Sequence, residues 1–421
     1  MTNIINQHSK LNRFIAIIMA LLVVIVLAAC ATTPNTQQKL IANDGASEDF
    51  FGYSVALSDD TAVIGAFKDD DQILGVDAGS AYVFTRSGKT WRQQAKLTAI
   101  DGATADTFGG NVVLSGDTIV VGVMRDDDMG ENSGSAHIYI RSEGVWHHQA
   151  KITAADGAKG DAFGQSLALD GNTLIIGTPR DDDNGKDTGS VYVFTRIGAS
   201  WHQQAKLTAD DGAAGDLFGI SVALSGDTIL VGADLHDEIA PNAGAVYVYT
   251  RSGNSWSQQA KLTAADGSET DIFGVRVALS GDTALISARR DDDDIMGVDA
   301  GSAYVFVRSG TSWSQQEKLT APDGVADDRF GRSVALFGDT ALVGAMFRDD
   351  KGKNSGSAYL FKRNGKTWVY KDKLTAADGA SDDVFGWSVA ITRNTVIVGA
   401  SRDDDNGNES GSVYVFGALP E

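Results

Sequence analysis

The 421 residues include 48 glycines, only 5 prolines and 43% hydrophobic side chains, enough for a large core with many turns. Asp and Glu number 56 against 35 Lys and Arg, and the formal charge of −21 repels phosphate backbones and anionic headgroups, which excludes nucleic acid as a partner. Frequent Val, Ile, Tyr and Phe, with few helix-forming runs, point to an all-β chain.

At the N-terminus, Lys10 and Arg13 precede sixteen apolar or small residues, Phe14 through Ala29, and then Cys30. A charged start and an apolar run short for a membrane span read as a signal peptide over residues 1–29. The run Leu27-Ala28-Ala29-Cys30 resembles the bacterial lipobox. That resemblance implies lipidation at Cys30, a short lipid tether over residues 30–36 and attachment to a membrane through the N-terminal lipid. An uncleaved signal anchor is the alternative, and it leaves the body on the same side. Cys30 is the only cysteine, so no disulfide can form within the chain. Ala31 stands where lipoproteins retained at the inner membrane carry Asp, which implies an outer-membrane location, on its periplasmic face or the cell surface.

Beyond residue 36 the chain repeats. Phe-Gly recurs at Phe51, Phe108, Phe163, Phe218, Phe273, Phe330 and Phe385, with spacings of 55 or 57 residues. Fourteen residues after each Phe stands a Gly-Ala-like pair, from Gly65-Ala66 to Gly399-Ala400, with Ser287-Ala288 as the variant. Each unit reads as four short strands; in the third these are Ser166–Leu169, Thr173–Gly177, Ser190–Arg196 and Trp201–Thr208. Such units at this period predict a seven-bladed β-propeller of four-stranded antiparallel blades over residues 37–421. Six units end in Trp-x-x-Gln-x-Lys-Leu or Ile, and the seventh stops at Tyr414-Val415-Phe416 without it. The missing strand matches Gln37-Gln38-Lys39-Leu40, so the N-terminal strand is expected to complete blade seven and cover its open edge.

Phe-Gly, Gly-Ala and a Gly-Ser-x-Tyr-Val-Phe strand together resemble the FG-GAP repeats of integrin α-chain propellers and their bacterial relatives, over essentially the whole body. The family often places an Asp-rich calcium loop just before the Gly-Ala strand. Here that place holds tight turns such as Ser225-Gly226-Asp227, too short to wrap an ion that needs six or more oxygens. Acidic runs instead follow the Gly-Ala strand, each preceded by a basic residue: Lys68, Arg125, Arg180, Arg290, Arg348 and Arg402. The basic residues suggest ion pairs between loop and neighbouring blade. The competing expectation is weak Ca2+ binding through Asp181 and Asp183, or Asp403 and Asp405, where Asp-Asn-Gly fragments resemble parts of calcium loops. No cofactor is required on either reading. Asp two residues before each Phe-Gly, from Asp49 to Asp383, predicts a repeated turn cap. The recurring Trp predicts packing between blades, and His147-His148 reads as surface. Blade four departs with Asp234-Leu235-His236-Asp237-Glu238, a solvated loop or a divalent-metal group.

Residues that vary inside this constant frame carry the functional signal. The position after Phe-Gly reads Tyr53, Gly110, Gln165, Ile220, Val275, Arg332 and Trp387. Arg332, Trp387 and Tyr53 become neighbours once a ring closes, and a cation among large rings has the composition of a binding hot spot. No nucleophile elbow, HExxH or phosphate loop occurs. The expectation is therefore a monomeric, non-enzymatic binding or adhesion propeller for a protein or carbohydrate ligand. A cell-envelope scaffold assembling outer-membrane components is the alternative, with a polysaccharide-acting enzyme third.

Overall fold

In the computed structural model, which describes residues 37–293 and 295–417, each unit forms one four-stranded antiparallel sheet, and seven sheets make a seven-bladed β-propeller. The signal segment, Cys30, the tether, Asp294 and residues 418–421 lie outside the described residues. No helix occurs among the described residues. Blade three shows how sequence sets local structure. Its strands are Ser166–Asp170, Thr173–Thr178, Ser190–Ile197 and Ser200–Leu207, within two residues of expectation. Asp170 pairs with Thr173 across Gly171-Asn172, and Gly171 takes the positive φ of 55° that the tight turn needs. Between the third and outer strands the register slips once, after Val193, which sets Lys206 directly opposite Tyr192. The same slip recurs in blades one, two, four, five and six.

The core lies between blades, not within them. Buried apolar side chains form clusters that each draw on two consecutive blades; one joins Val120, Ala136 and Ile138 of blade two to Phe163, Ile176, Tyr192 and Phe194 of blade three. Phe163 is fully buried and meets the edge of Tyr192 with ring centroids 5.3 Å apart. Truncating such a ring to Ala costs about 3–5 kcal/mol. The two signature motifs are complementary surfaces of this junction. A Cβ on Gly177 would stand 2.2 Å from the carbonyl oxygen of Gly219 in the next blade's Phe-Gly, so only glycine admits that backbone approach.

Polar contacts repeat at the same junctions. Ser166 Oγ donates to the Gly219 carbonyl at 2.7 Å, Trp201 Nε1 to Gln149 at 3.3 Å and Arg196 Nη1 to Thr118 at 3.1 Å. The Trp series thus packs between blades, as its repetition predicted. Sheet seven runs in the order Gln37–Leu40, Ser412–Gly417, Thr395–Ala400, Phe385–Ile391, which places the N-terminal strand outermost on blade seven. Blade seven then meets blade one through the same contacts: Ser388 Oγ donates to Gly52 at 2.7 Å and Arg86 Nη1 to Thr395 at 3.1 Å. Leu40, Ala42, Val413 and Val415 share a core cluster with Phe51, Tyr82 and Trp91.

Candidate ligand-binding site

Every Phe-Gly ends with its glycine at φ between 92° and 96°, and this turn delivers the next residue to the start of an inner strand. Those strands surround the channel. A cavity of about 210 Å³ there is lined by Tyr53, Gly110, Gln165 and Ile220 from that position, with Asn111, Ser166, Ser221, Met124 and Arg276.

The three residues singled out by sequence come together. The Tyr53 and Trp387 rings lie 5.3 Å apart, and the Arg332 guanidinium sits 3.8 Å from the centre of the Trp387 ring. Phe67, the residue after the Gly-Ala of blade one, adds a third ring 4.2 Å from Tyr53. Arg332 does not project into solvent from this group. It is only 7% exposed, because Trp387 covers its face. Its Nε is buried without a hydrogen-bond acceptor. Burial, together with the positive charge of Arg276, pushes its pKa well below the usual arginine range.

Sequence reasoning missed the two arginines beside this group, and Asp234, expected in a solvated or metal-holding loop, is buried next to them. Arg276 lines the cavity, and its Nη1 donates to the Val275 carbonyl at 2.7 Å. Arg289 has a buried Nε without an acceptor, and burial plus the neighbouring Arg276 and Arg290 bring its pKa down to about 10. Asp234 is buried with Oδ1 unpartnered, and burial pushes its pKa up to about 6 against the pull of Arg276, Arg289 and Arg290. The signal was present in two further columns of the repeat. The second residue after Phe-Gly is Ser in five blades, Asn111 in blade two and Arg276 in blade five. The residue after the Gly-Ala pair reads Phe67, Met124, Pro179, Asp234, Arg289, Met346 and Ser401.

The acidic loops follow another logic. Asp181, 4% exposed, accepts from Lys206 at 2.7 Å, Ser190 at 2.7 Å and Tyr192 at 3.1 Å. Lys206 also meets Asp183 at 2.6 Å and Asp156 at 2.9 Å. Lys39 does the same for Asp403 at 2.8 Å, Asp378 at 3.1 Å and Asp405. The main partner of the loop is thus the outer-strand Lys of its own blade, since the register slip brings Lys and Tyr over the loop; among the preceding basic residues Arg402 pairs within its loop, with Glu409 at 3.4 Å. In blade six Arg348 does not precede the first acid but replaces it. Its carbonyl accepts from Gly356 as that of Asp403 accepts from Gly411, and its side chain reaches Asp328 and Asp350, each at 3.3 Å.

The FG-GAP repeat family matches seven segments, 34–84, 91–139, 146–194, 201–249, 256–306, 313–361 and 368–416. The chain belongs to this family. No curated protein matches it at a significant level.

In this FG-GAP propeller a tight hairpin such as Ser225–Thr228 stands before the Gly-Ala strand, and the acidic loops already hold a cation of their own. At both Asp181/Asp183 and Asp403/Asp405 an ammonium group already occupies the point where three carboxylates converge. In blade four, Asp211, His236 and Glu238 converge closely enough to hold a metal ion. There too Lys261 sits between them, 2.6 Å from both Asp211 and His236 Nε2, while His236 Nδ1 bonds Asp216 at 2.8 Å. His148 also departs from expectation: it is half-buried and pairs with the fully buried His137 at 3.2 Å.

Proposed function

We propose that this FG-GAP propeller is a lipid-anchored, non-enzymatic binding protein of the outer membrane, acting as a monomer, whose ligand docks at the channel mouth over blades six, seven and one. The observation that carries the reading is the union of Tyr53, Phe67 and Trp387 around a guanidinium whose buried Nε lacks an acceptor. Half-buried rings offer flat apolar area at small entropic cost, and stacking on Trp387 leaves the guanidinium edge available for in-plane hydrogen bonds. The ligand is a protein or a carbohydrate. Anchoring rests on Cys30 and its flanking sequence.

An envelope scaffold remains the second reading, favoured by two aliphatic loop tips. Ile73 and Ile295 are 92% and 95% exposed at equivalent places in blades one and five, while Leu74 and Met296 pack against Gly102 and Gly324 of the following junctions. Capture of partners from envelope extract, followed by replacement of Tyr53, Arg332 and Trp387 with Ala, separates the two. The binding-mouth reading expects a loss of about 2 kcal/mol or more, roughly thirtyfold in affinity, with the fold retained. Matched changes at the exposed outer-strand residues Val145 and Val369 serve as controls. Undiminished affinity in the triple variant, with loss on replacing Ile73 and Ile295 by Ser, would move the contact to the loop tips.

A further inference from the structure

Three arginines gather at one part of the channel in a chain whose net charge is −21. Burial holds Arg276, Arg289 and Arg332 below the ordinary arginine range; the charge of Arg276 lowers the other two further, while Tyr53 and Asp234 pull Arg276 back up. Elsewhere cations are generously paired; Lys206 alone meets three carboxylates. Here, among the described residues, no carboxylate forms an ion pair with any of the three, and the carboxylate whose charge reaches Arg276 and Arg289 is Asp234, itself lacking a partner on Oδ1. Two guanidinium Nε–H groups are buried without acceptors. Leaving such groups unsatisfied costs more than a made hydrogen bond returns, which marks the cluster as built for something other than stability.

Arg276 makes the point most directly. In five of the other blades its position holds a Ser whose hydroxyl ties the blade to the next one, as Ser221 does to Gly274 at 2.7 Å and Ser333 to Gly386 at 2.8 Å. Blade five gives up that tie and places a guanidinium in the cavity wall instead. The rest of the wall is neutral and suited to hydroxyl groups: Asn111, Gln165, Ser166 and Ser221, with the Tyr53 ring beside them. The space would take about seven waters at ~30 Å³ each, which is room for one pyranose-sized group.

We propose that the channel cavity binds the carboxylate of an acidic monosaccharide unit, a uronic acid, with Arg276 as its anchor, Arg289 and Arg332 supplying the surrounding positive field and Asn111, Gln165 and Ser221 receiving its hydroxyls. The inference rests on the reading of the channel mouth as the ligand site and adds the chemistry of the ligand. A singly charged carboxylate suits a molecule whose overall field repels polyanions better than a doubly charged phosphate does. Guanidinium matches a carboxylate with two parallel hydrogen bonds.

The test is calorimetric titration of the full chain in detergent with glucuronate, glucose, glutamate and inorganic phosphate. Glucuronate should bind at least about tenfold more tightly than glucose, which lacks the charge, and than glutamate or phosphate, which lack the ring. Arg276→Ser restores the residue of the other blades, so it should fold as well as the parent, and it should lose at least about tenfold in glucuronate affinity. Arg276→Lys keeps the charge without the fork and should recover only part of the loss. Equal affinity for glucuronate and glucose, or an Arg276→Ser variant that binds as the parent does, overturns the proposal. Tightest binding of phosphate or glutamate overturns the sugar assignment. A chain that ignores glucuronate yet captures an envelope partner through Tyr53 and Trp387 refutes this inference and leaves the wider binding reading intact.

Discussion

Replacing Lys206 by Met removes the ammonium at the centre of the blade-three acidic cluster while keeping a similar volume. Breaking a buried ion pair typically costs about 3–5 kcal/mol, because one charge is left uncompensated. Asp181 is that charge, but it keeps the Ser190 hydroxyl, the Tyr192 hydroxyl and the Asp183 amide at 2.7, 3.1 and 3.0 Å. Asp156 and Asp183 are 44% and 56% exposed and recover hydration readily. The expected cost is therefore about 2–3 kcal/mol, below the full range for a buried pair. With roughly 2.1 cal/mol/K of unfolding entropy per residue over about 380 residues, that is a fall of about 3 °C in Tm if the ring melts as one unit. The variant also leaves three carboxylates without a cation. Calcium at about 1 mM should restore about 1.4 kcal/mol for a Kd near 0.1 mM, while the parent stays unresponsive. Scanning calorimetry of both proteins, chelated and calcium-loaded, reads all four values. A parent that gains several degrees on calcium, or a variant that melts with the parent and ignores calcium, would refute the assignment of the lysine as the resident cation.

Three further outcomes follow from the same structure. Deleting Gln37–Ala42 strips Leu40 and Ala42 from the blade-seven core and Lys39 from its ion cluster, so aggregation or a Tm loss of more than about 5 °C is expected, and a deletion variant melting within a degree or two of the parent would exclude a structural role for this strand. Burial and the nearby Asp69 push Asp49 up to about 7, against 3.8 for an unperturbed Asp carboxyl, so between these values the folded state holds a proton that the unfolded state has released. Stability from this group is present below about pH 4 and is lost as pH rises towards 7; Asp49→Asn keeps an oxygen for the Ala46 amide and should lose at least about 1 kcal/mol less than the parent between pH 5 and 8 in urea titrations, whereas parallel profiles would disprove the shift. Cys30→Ser should abolish fatty-acid labelling of the chain in cells, and persistent labelling would place any lipid elsewhere.

Repetition made the fold legible. Seven copies of Phe-Gly, and a Gly in six of the seven Gly-Ala-like pairs, mark backbone positions where blades touch, and such positions drift little without losing the contact. The turn-cap role of the repeated Asp was legible for the same reason: Asp161 accepts from the Ala158 amide at 2.7 Å, as its counterparts do in every blade. The association of Tyr53, Arg332 and Trp387 followed from ring order alone. Pairings across a sheet were not legible. Lys206 stands 25 residues after Asp181, and only the one-residue slip after Val193 decides that it faces the loop. Likewise His148 gains meaning only beside His137, which replaces the Tyr that other blades bury at that place. Arg276 and Arg289 escaped, and Asp234 was read only with its acidic loop, because two separate columns of the repeat converge in the channel and neither shows it alone.

The position of Gln37–Leu40 on the last sheet has a consequence for how the molecule is made. This strand is among the first of the body to be synthesised, yet its neighbour, Ser412–Gly417, is among the last. At 5–20 residues per second, the early strand waits on the order of 20–75 s for its partner. Six blades can acquire their own four strands in that interval, each from a contiguous stretch of chain. Joining the two ends then brings together residues more than 370 positions apart, the kind of long-range pairing that slows folding. A chain cut short by even one strand would therefore hold six finished blades and a seventh with both flanks unguarded, and quality control acting on exposed strand edges would meet it at that stage.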